Sequence, residues 1–308
     1  LAAAAEAGLA FKVAAITGDD LSSSAAEIRA ARPAEMFSGA GLPPAFASSN
    51  AYLGATAIAE ALAAGADVVI TGRVVDSAMA LGPLMHEFGW KADDYDLLSA
   101  GSLAGHVLEC GAQATGGLFT DWQDVADGWH DMGFPIAECS ADGSFVVTKP
   151  GGTGGKVTVG TVAEQIVYEI GDPQSYRLPD VICDFSEVRL AQEGPDRVRV
   201  TGAQGRAPGP DLKVCGTHLD GFRLLTTYMI AGWQAGAKGR RTAEALVERT
   251  DRMLAAKGFP PYDEVSIEVI GAEDTYGAAA RVEEAREVVV KVGLRHRQAE
   301  ALDIFARE

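Results

Sequence analysis

The sequence predicts an α/β fold, a mostly parallel sheet covered by helices, with a second small α+β domain behind it. Three observations carry this prediction. Short apolar runs alternate with helical stretches from Phe11 to Gly89. Those runs are continuous rather than alternating in polarity, as in strands buried on both faces. Glycine is abundant, 36 of 308 residues, and clusters just after the apolar runs, where α/β proteins place ligand loops.

Each element follows in order. Leu1–Gly8 is alanine-rich and reads as the closing turns of a helix. With Leu rather than Met in first place, the sequence is expected to begin partway through a longer protein. Phe11–Ile16 is a buried strand ending in the polar loop Thr17-Gly18-Asp19-Asp20. Ser49–Ala64 carries Tyr52, Leu53, Ile58 and Leu62 in a helical stretch that closes near Gly65. Asp67–Thr71 is a second strand, followed at once by Gly72-Arg73. Asp76 or Ser77 caps the next helix, whose Leu81, Leu84, Met85 and Phe88 share one face up to Gly89. Ser99–Gly117, rich in small residues, is expected to hold a helix between two glycine turns. Ser144–Lys149 is a strand, Pro150–Gly155 a glycine-rich loop and Lys156–Val159 another short strand. Thr161 and Glu164 have capping-box spacing, for a helix running to Gly171 with Pro173 beyond it. Val181–Phe185 and Val198–Thr201 are further strand candidates. The linker Ala207-Pro208-Gly209-Pro210 divides domains 1–207 and 211–308. Beyond it, Leu212–Met229, Thr242–Lys257, Glu264–Ile270, Arg286–Leu294 and Ala299–Ala306 give the order β-α-β-β-α, which suggests a ferredoxin-like unit.

The net charge of −17 argues against nucleic acid and against anionic membrane surfaces, since both require a basic face. Cys110, Cys139, Cys183 and Cys215 lie far apart, without a C-x-x-C pair, which argues against a zinc site and against a disulfide framework. There is no membrane-length apolar run and no signal-peptide pattern, so the expected location is the cytoplasm.

Several stretches together resemble the acyclic terpene utilisation, AtuA-like, family. They are KVAAITGDD at 12–20, GADVVITGRVVD at 65–76, AGSLAGHVLECGAQATGGLFTDW at 100–122, and GGTGGKVTVGTVAEQIVYEIGDP at 151–173. The resemblance implies a place in the catabolism of branched acyclic terpenoids and related acyl compounds, which proceeds on coenzyme A thioesters. It does not supply a reaction.

The residues supply candidates for one. His106, Glu109, Cys110 and Gln113 share a short segment. On a helix, His106 to Cys110 and Glu109 to Gln113 are both i to i+4. His106 and Glu109 suit general acid–base work, and Cys110 suits a thiolate nucleophile or, equally, a buried apolar position. Gly72, Arg73, Asp76 and Ser77 follow a strand, where Arg73 can clamp a carboxylate or phosphate and Asp76 can act on a proton or merely cap a helix. Gly116 and Gly117, and the loop Gly151, Gly152, Thr153, Gly154 between Lys149 and Lys156, are expected to approach an anion through backbone N–H groups. The same loop also fits a glycine hairpin, and it is neither a Walker A loop nor a dinucleotide fingerprint. Asp19 and Asp20 are weak candidates for a divalent metal.

The expected function is an enzyme acting on a branched acyl-CoA or its carboxylic acid by hydration, elimination or C–C cleavage. One alternative is a non-catalytic acyl-CoA-binding subunit that needs a partner chain. Another is a metal-dependent hydrolase using Asp19, Asp20 and Asp184. Small-residue helices also permit a homo-oligomer.

Overall fold

The computed structural model describes residues 5–31, 33–282 and 284–308. The helix expected over Leu1–Gly8 lies partly outside them. The chain divides into two compact units, Leu1–His218 and Leu219–Glu308.

The first unit is built from small sheets around one central helix. Strands β1 (Val13–Ile16) and β3 (Val68–Thr71) pair in parallel, while β2 (Ser48–Ala51) pairs antiparallel with β11 (Val214–Thr217). A four-stranded antiparallel sheet has the order β4 (Ile136–Cys139), β5 (Phe145–Thr148), β9 (Arg197–Thr201), β8 (Arg189–Gly194). A third antiparallel group sets β7 (Ile182–Asp184) between β10 (Gln204–Arg206) and β6 (Tyr176–Arg177). The helices are α1 (Ala25–Ala31), α2 (Thr56–Ala63), α3 (Ala78–Phe88), α4 (Tyr95–Glu109) and α5 (Val159–Val167).

This overturns the expected parallel sheet. Among the described residues the one parallel sheet is two-stranded, and the other sheets are antiparallel. The cause is visible in both regions. Val13 and Ala15 on β1, and Val68 and Ile70 on β3, share an exposed face, so these apolar runs are covered on one side only. Elsewhere short turns fold consecutive strands back on themselves, as at Ser140–Ser144 between β4 and β5 and at Pro195-Asp196 between β8 and β9. Such turns permit only antiparallel pairing. The strand expected at Lys156–Val159 is absent. Instead Thr158 caps α5, with Thr158 and Thr161 forming the reciprocal cap. Glu164 turns outward and accepts the Thr120 N–H at 3.1 Å.

The core of this unit surrounds α4, in which every residue from Leu98 to Val107 is buried. Small residues make that possible. A Cβ at Gly101 would meet Leu81 and Trp90, and a Cβ at Gly105 would lie 2.6 Å from Ser77 Cα. Close approach of two backbones requires the absence of side chains there.

The second unit orders β12 (Phe222–Ala231), β14 (Glu287–His296) and β13 (Glu264–Ile270) as an antiparallel sheet. Two helices complete it, α6 (Ala235–Ala256) and α7 (Ala299–Ala306). Val288, Val290, Val292 and Leu294 alternate inward along β14 to form the core with Leu254, Ile304 and Phe305. α6 starts seven positions before the expected Thr242, because Gly239 lets it lie directly on Val290.

Candidate functional site

The buried helix α4 presents His106 and, one turn later, Glu109. His106 is 1% exposed, and its Nδ1 lies 2.7 Å from Glu109 Oε1. A carboxylate can only accept, so in the neutral imidazole Nδ1 carries the proton and Nε2 the lone pair. Nε2 is buried and has no hydrogen-bond partner. The helix is held at this point by Gln165 of α5, whose side-chain amide donates to the His106 carbonyl at 2.8 Å.

Tyr176 of β6 lies against the imidazole, with ring centroids 6.1 Å apart. Burial pushes its phenol up to about 12, reinforced by the negative charges of Glu109, Cys183 and Asp76. The Cys183 thiol of β7 is pushed up to about 11 by burial, and the hydroxyls of Ser99 and Ser102 on α4 face its sulfur. Those two hydroxyls have no conventional hydrogen-bond partner. Beside them Asp180 accepts the Ala55 N–H at 2.8 Å and the Thr56 hydroxyl, fixing the start of α2, while burial raises its carboxyl. Ser99, Ser102, His106, Glu109, Tyr176 and Cys183 therefore belong to one polar cluster inside an apolar unit, with Asp180 beside it and the exposed Asp76 acting on Tyr176 only through its charge. Of this cluster the sequence singles out His106 and Glu109, while Asp76 lies exposed outside it. Sequence reasoning assigned no role to Tyr176 and Asp180, which come from a two-residue strand and a turn, nor to Cys183, which it placed only on a strand and among the spaced cysteines. Ser77 is buried against Gly105 and serves packing.

Cys110 follows α4 and is partly buried. No hydrogen bond links it to His106, whose Nδ1 is bonded to Glu109 instead. Cys183 cannot replace it as a ready nucleophile, since a thiol at about 11 is protonated at neutral pH. Alkylation of the folded protein with iodoacetamide near pH 8 should modify exposed Cys215 rapidly and Cys183 only after unfolding. Equal rates at the two positions, read by peptide mass, would contradict the burial of Cys183.

A second polar group gathers at the carboxyl ends of β1 and β3. The Asp19 carboxylate, 8% exposed as a residue, accepts the Arg73 N–H at 2.8 Å and the Asn50 side-chain amide at 2.9 Å. It packs directly on Gly72, where a Cβ would sit 1.9 Å from its Oδ1. The Arg73 N–H, first among several hydrogen bonds, holds the Asp19 carboxyl below its ordinary 3.8. A lowered native pKa means that folding favours the ionised form. That contribution is complete above about pH 4 and fades as pH falls through the native value. Asp19→Asn retains an acceptor oxygen without the titration. Its stability to urea should therefore vary less than the parent's between about pH 4 and pH 2. Parallel curves would remove Asp19 from the acid response. Asp20 is tied to Ser22, accepting its N–H at 2.9 Å, and Asp184 to Ser186 in the same way. Among the described residues no three His, Cys, Asp or Glu side chains gather to hold a metal ion.

The glycine-rich loop is closed by its own chain. The Lys149 amine, nearly buried, reaches the Thr153 carbonyl at 2.7 Å and Asp196 at 3.5 Å. Gly154 N–H donates to the Asp131 carbonyl and Lys156 N–H to that of Thr115. Gly151 and Gly152 face open space. Gly116 and Gly117 form a tight turn against Val125 and the Ala112 carbonyl, and Gln113 lies in the short helix before them. The loop's N–H groups beyond Thr153 are thus committed to carbonyls, and it stands apart from the His106 cluster in its contacts.

A family model described as acyclic terpene utilisation family protein AtuA matches residues 1–308. The chain belongs to this family. No curated protein and no solved structure gives a match. Membership gives the chain a role in acyclic terpene utilisation. No helix among the described residues is long and apolar enough to cross a membrane.

Proposed function

We propose that this member of the AtuA family is an enzyme that performs acid–base chemistry on a branched acyl-CoA or the corresponding carboxylic acid, with His106 as the proton-transferring group. One observation carries this reading. Glu109 holds the imidazole by Nδ1 and leaves a buried, unpartnered Nε2. A base so oriented, in surroundings free of bulk water, suits removal of a proton from carbon or from a water molecule. Tyr176 complements it. A phenol at about 12 stays protonated at neutral pH, and can donate a hydrogen bond to negative charge developing on a thioester or carboxylate oxygen. Hydration, elimination and C–C cleavage all use this pair of roles.

The near-complete enclosure of His106 favours a second reading, a non-catalytic acyl-binding subunit that works with a partner chain. One experiment separates the two. The purified chain is incubated with branched and linear acyl-CoAs, free CoA and the free acids, following thermal midpoint and product mass together. Ligand at about a hundred times its dissociation constant adds roughly 2.7 kcal/mol of stability. Stabilisation with product formation supports the enzyme. Stabilisation without product supports the binding subunit.

A further inference from the structure

The carboxyl end of the β1–β3 pair holds two cations around one aromatic ring. Arg73 Cζ lies 5.2 Å from the centroid of Tyr52, and Lys213 Nζ lies 5.1 Å from the same centroid. Their backbones are fastened to the ring's own segment. The Tyr52 N–H donates to the Lys213 carbonyl at 2.9 Å, and the Leu53 N–H to the Arg73 carbonyl at 3.1 Å. Three distant stretches of sequence are thus fixed in one place, and the Asp19–Arg73 N–H bond secures one of them again. Both cationic side chains belong to exposed residues.

Neither cation forms an ion pair among the described residues, although acids outnumber bases in the chain by 43 to 26. Asp19 and Asp20, the acids after β1, are spent on backbone N–H groups and Asn50, and Asp76, three positions from Arg73, makes no ion pair with it. Sharing one ring holds the two charges within about a Debye length of each other, ~10 Å at 0.1 M salt. A contact with a ring face contributes only about 0.5–1 kcal/mol at an exposed position, which leaves each charge free for a stronger partner. An anion with two or more oxygens meets both: guanidinium offers a planar fork, ammonium a movable point charge.

We propose that Arg73, Lys213 and Tyr52 form a binding site for an oxyanion, the carboxylate of an acyl substrate or a phosphate of its coenzyme A. The site stands on its own geometry and is independent of whether His106 is catalytic.

Isothermal titration of the full chain with inorganic phosphate, isovalerate, CoA and dephospho-CoA tests it. At least one anion is expected to bind, more weakly as salt rises. Arg73→Ala and Lys213→Ala should each weaken that binding about tenfold, as expected for loss of a charged hydrogen bond, and the double variant should abolish it. Lys91→Ala, an exposed cation elsewhere, should leave it unchanged. Because the Arg73 and Lys213 side chains are exposed, truncation leaves the fold intact, checked by circular dichroism. Bound anion should also slow the modification of Lys213 by trinitrobenzenesulfonate. Isovalerate binding assigns the carboxylate, and CoA binding in excess of dephospho-CoA assigns the nucleotide phosphate. Equal binding by parent and double variant, or failure of all four probes to bind, would overturn the site.

Discussion

Glu109→Gln should lower turnover of the acyl substrate about a hundred- to ten-thousand-fold, the usual range for loss of a positioned acid–base group. The substitution preserves shape and length. It removes the negative charge that stabilises the imidazolium formed as Nε2 takes a proton, and, unlike a carboxylate, its amide can also donate to Nδ1. When the amide donates, the imidazole holds its proton on Nε2 and the lone pair points at residue 109 instead of the substrate. In the proposed mechanism Glu109 acts through His106 as a positioning residue, so the loss should fall on kcat with KM little changed. His106→Asn should be at least as severe. A Glu109→Gln enzyme within threefold of the parent, with the same pH profile, would remove the dyad from the mechanism.

Gly105→Ala should cost the first unit about 3 kcal/mol, at the upper end of what overpacking produces. The added methyl would lie 2.6 Å from both the Cα and the carbonyl oxygen of Ser77. Both are backbone atoms and cannot swing aside, so α3 and α4 must separate. In a unit of this size the midpoint of thermal unfolding falls about 2–4 °C per kcal/mol, hence by roughly 6–12 °C. Gly151→Ala is the control. Its methyl would enter open space, and the expected change is within about 0.5 kcal/mol. Equal midpoints for the two variants would mean that the helices slide apart at no cost. Asp76 and His106 stand on either side of this contact, so turnover should fall with stability.

Parts of this were legible in the sequence because they are local. His106 and Glu109 share one short helical segment, where spacing sets His106 over Cys110 and Glu109 over Gln113; the contact formed is instead His106 with Glu109, three residues apart. The order β-α-β-β-α in the second unit follows from local periodicity, and β13 and α7 occupy the spans expected of them. The sheet class was not legible. An apolar run such as Val68-Val69-Ile70 looks the same whether neighbours cover one face or two, and here Ile70 is 60% exposed. Tyr176 and Cys183 were missed for a related reason. Tyr176 lies in a two-residue strand without a motif, and Cys183, though named among the cysteines and placed on the Val181–Phe185 strand, gave no sign of meeting α4; tertiary packing alone brings both there. Lys213 meets Tyr52 because β2 pairs with β11, a contact between segments more than a hundred and fifty positions apart. The capping box was misplaced by three residues, since Thr158-x-x-Thr161 and Thr161-x-x-Glu164 overlap and packing chose the first.

The unbroken burial of Leu98–Val107 has a kinetic meaning. Amides packed on every side exchange with solvent only when their surroundings open as a whole. The backbone carrying His106 should therefore exchange at the rate of global unfolding of its unit, while the ends of α4 exchange faster. If His106 acts as proposed, any movement that admits a substrate to Nε2 comes from the shell, from β6 with Tyr176 or the turn before α3, around a helix that stays still.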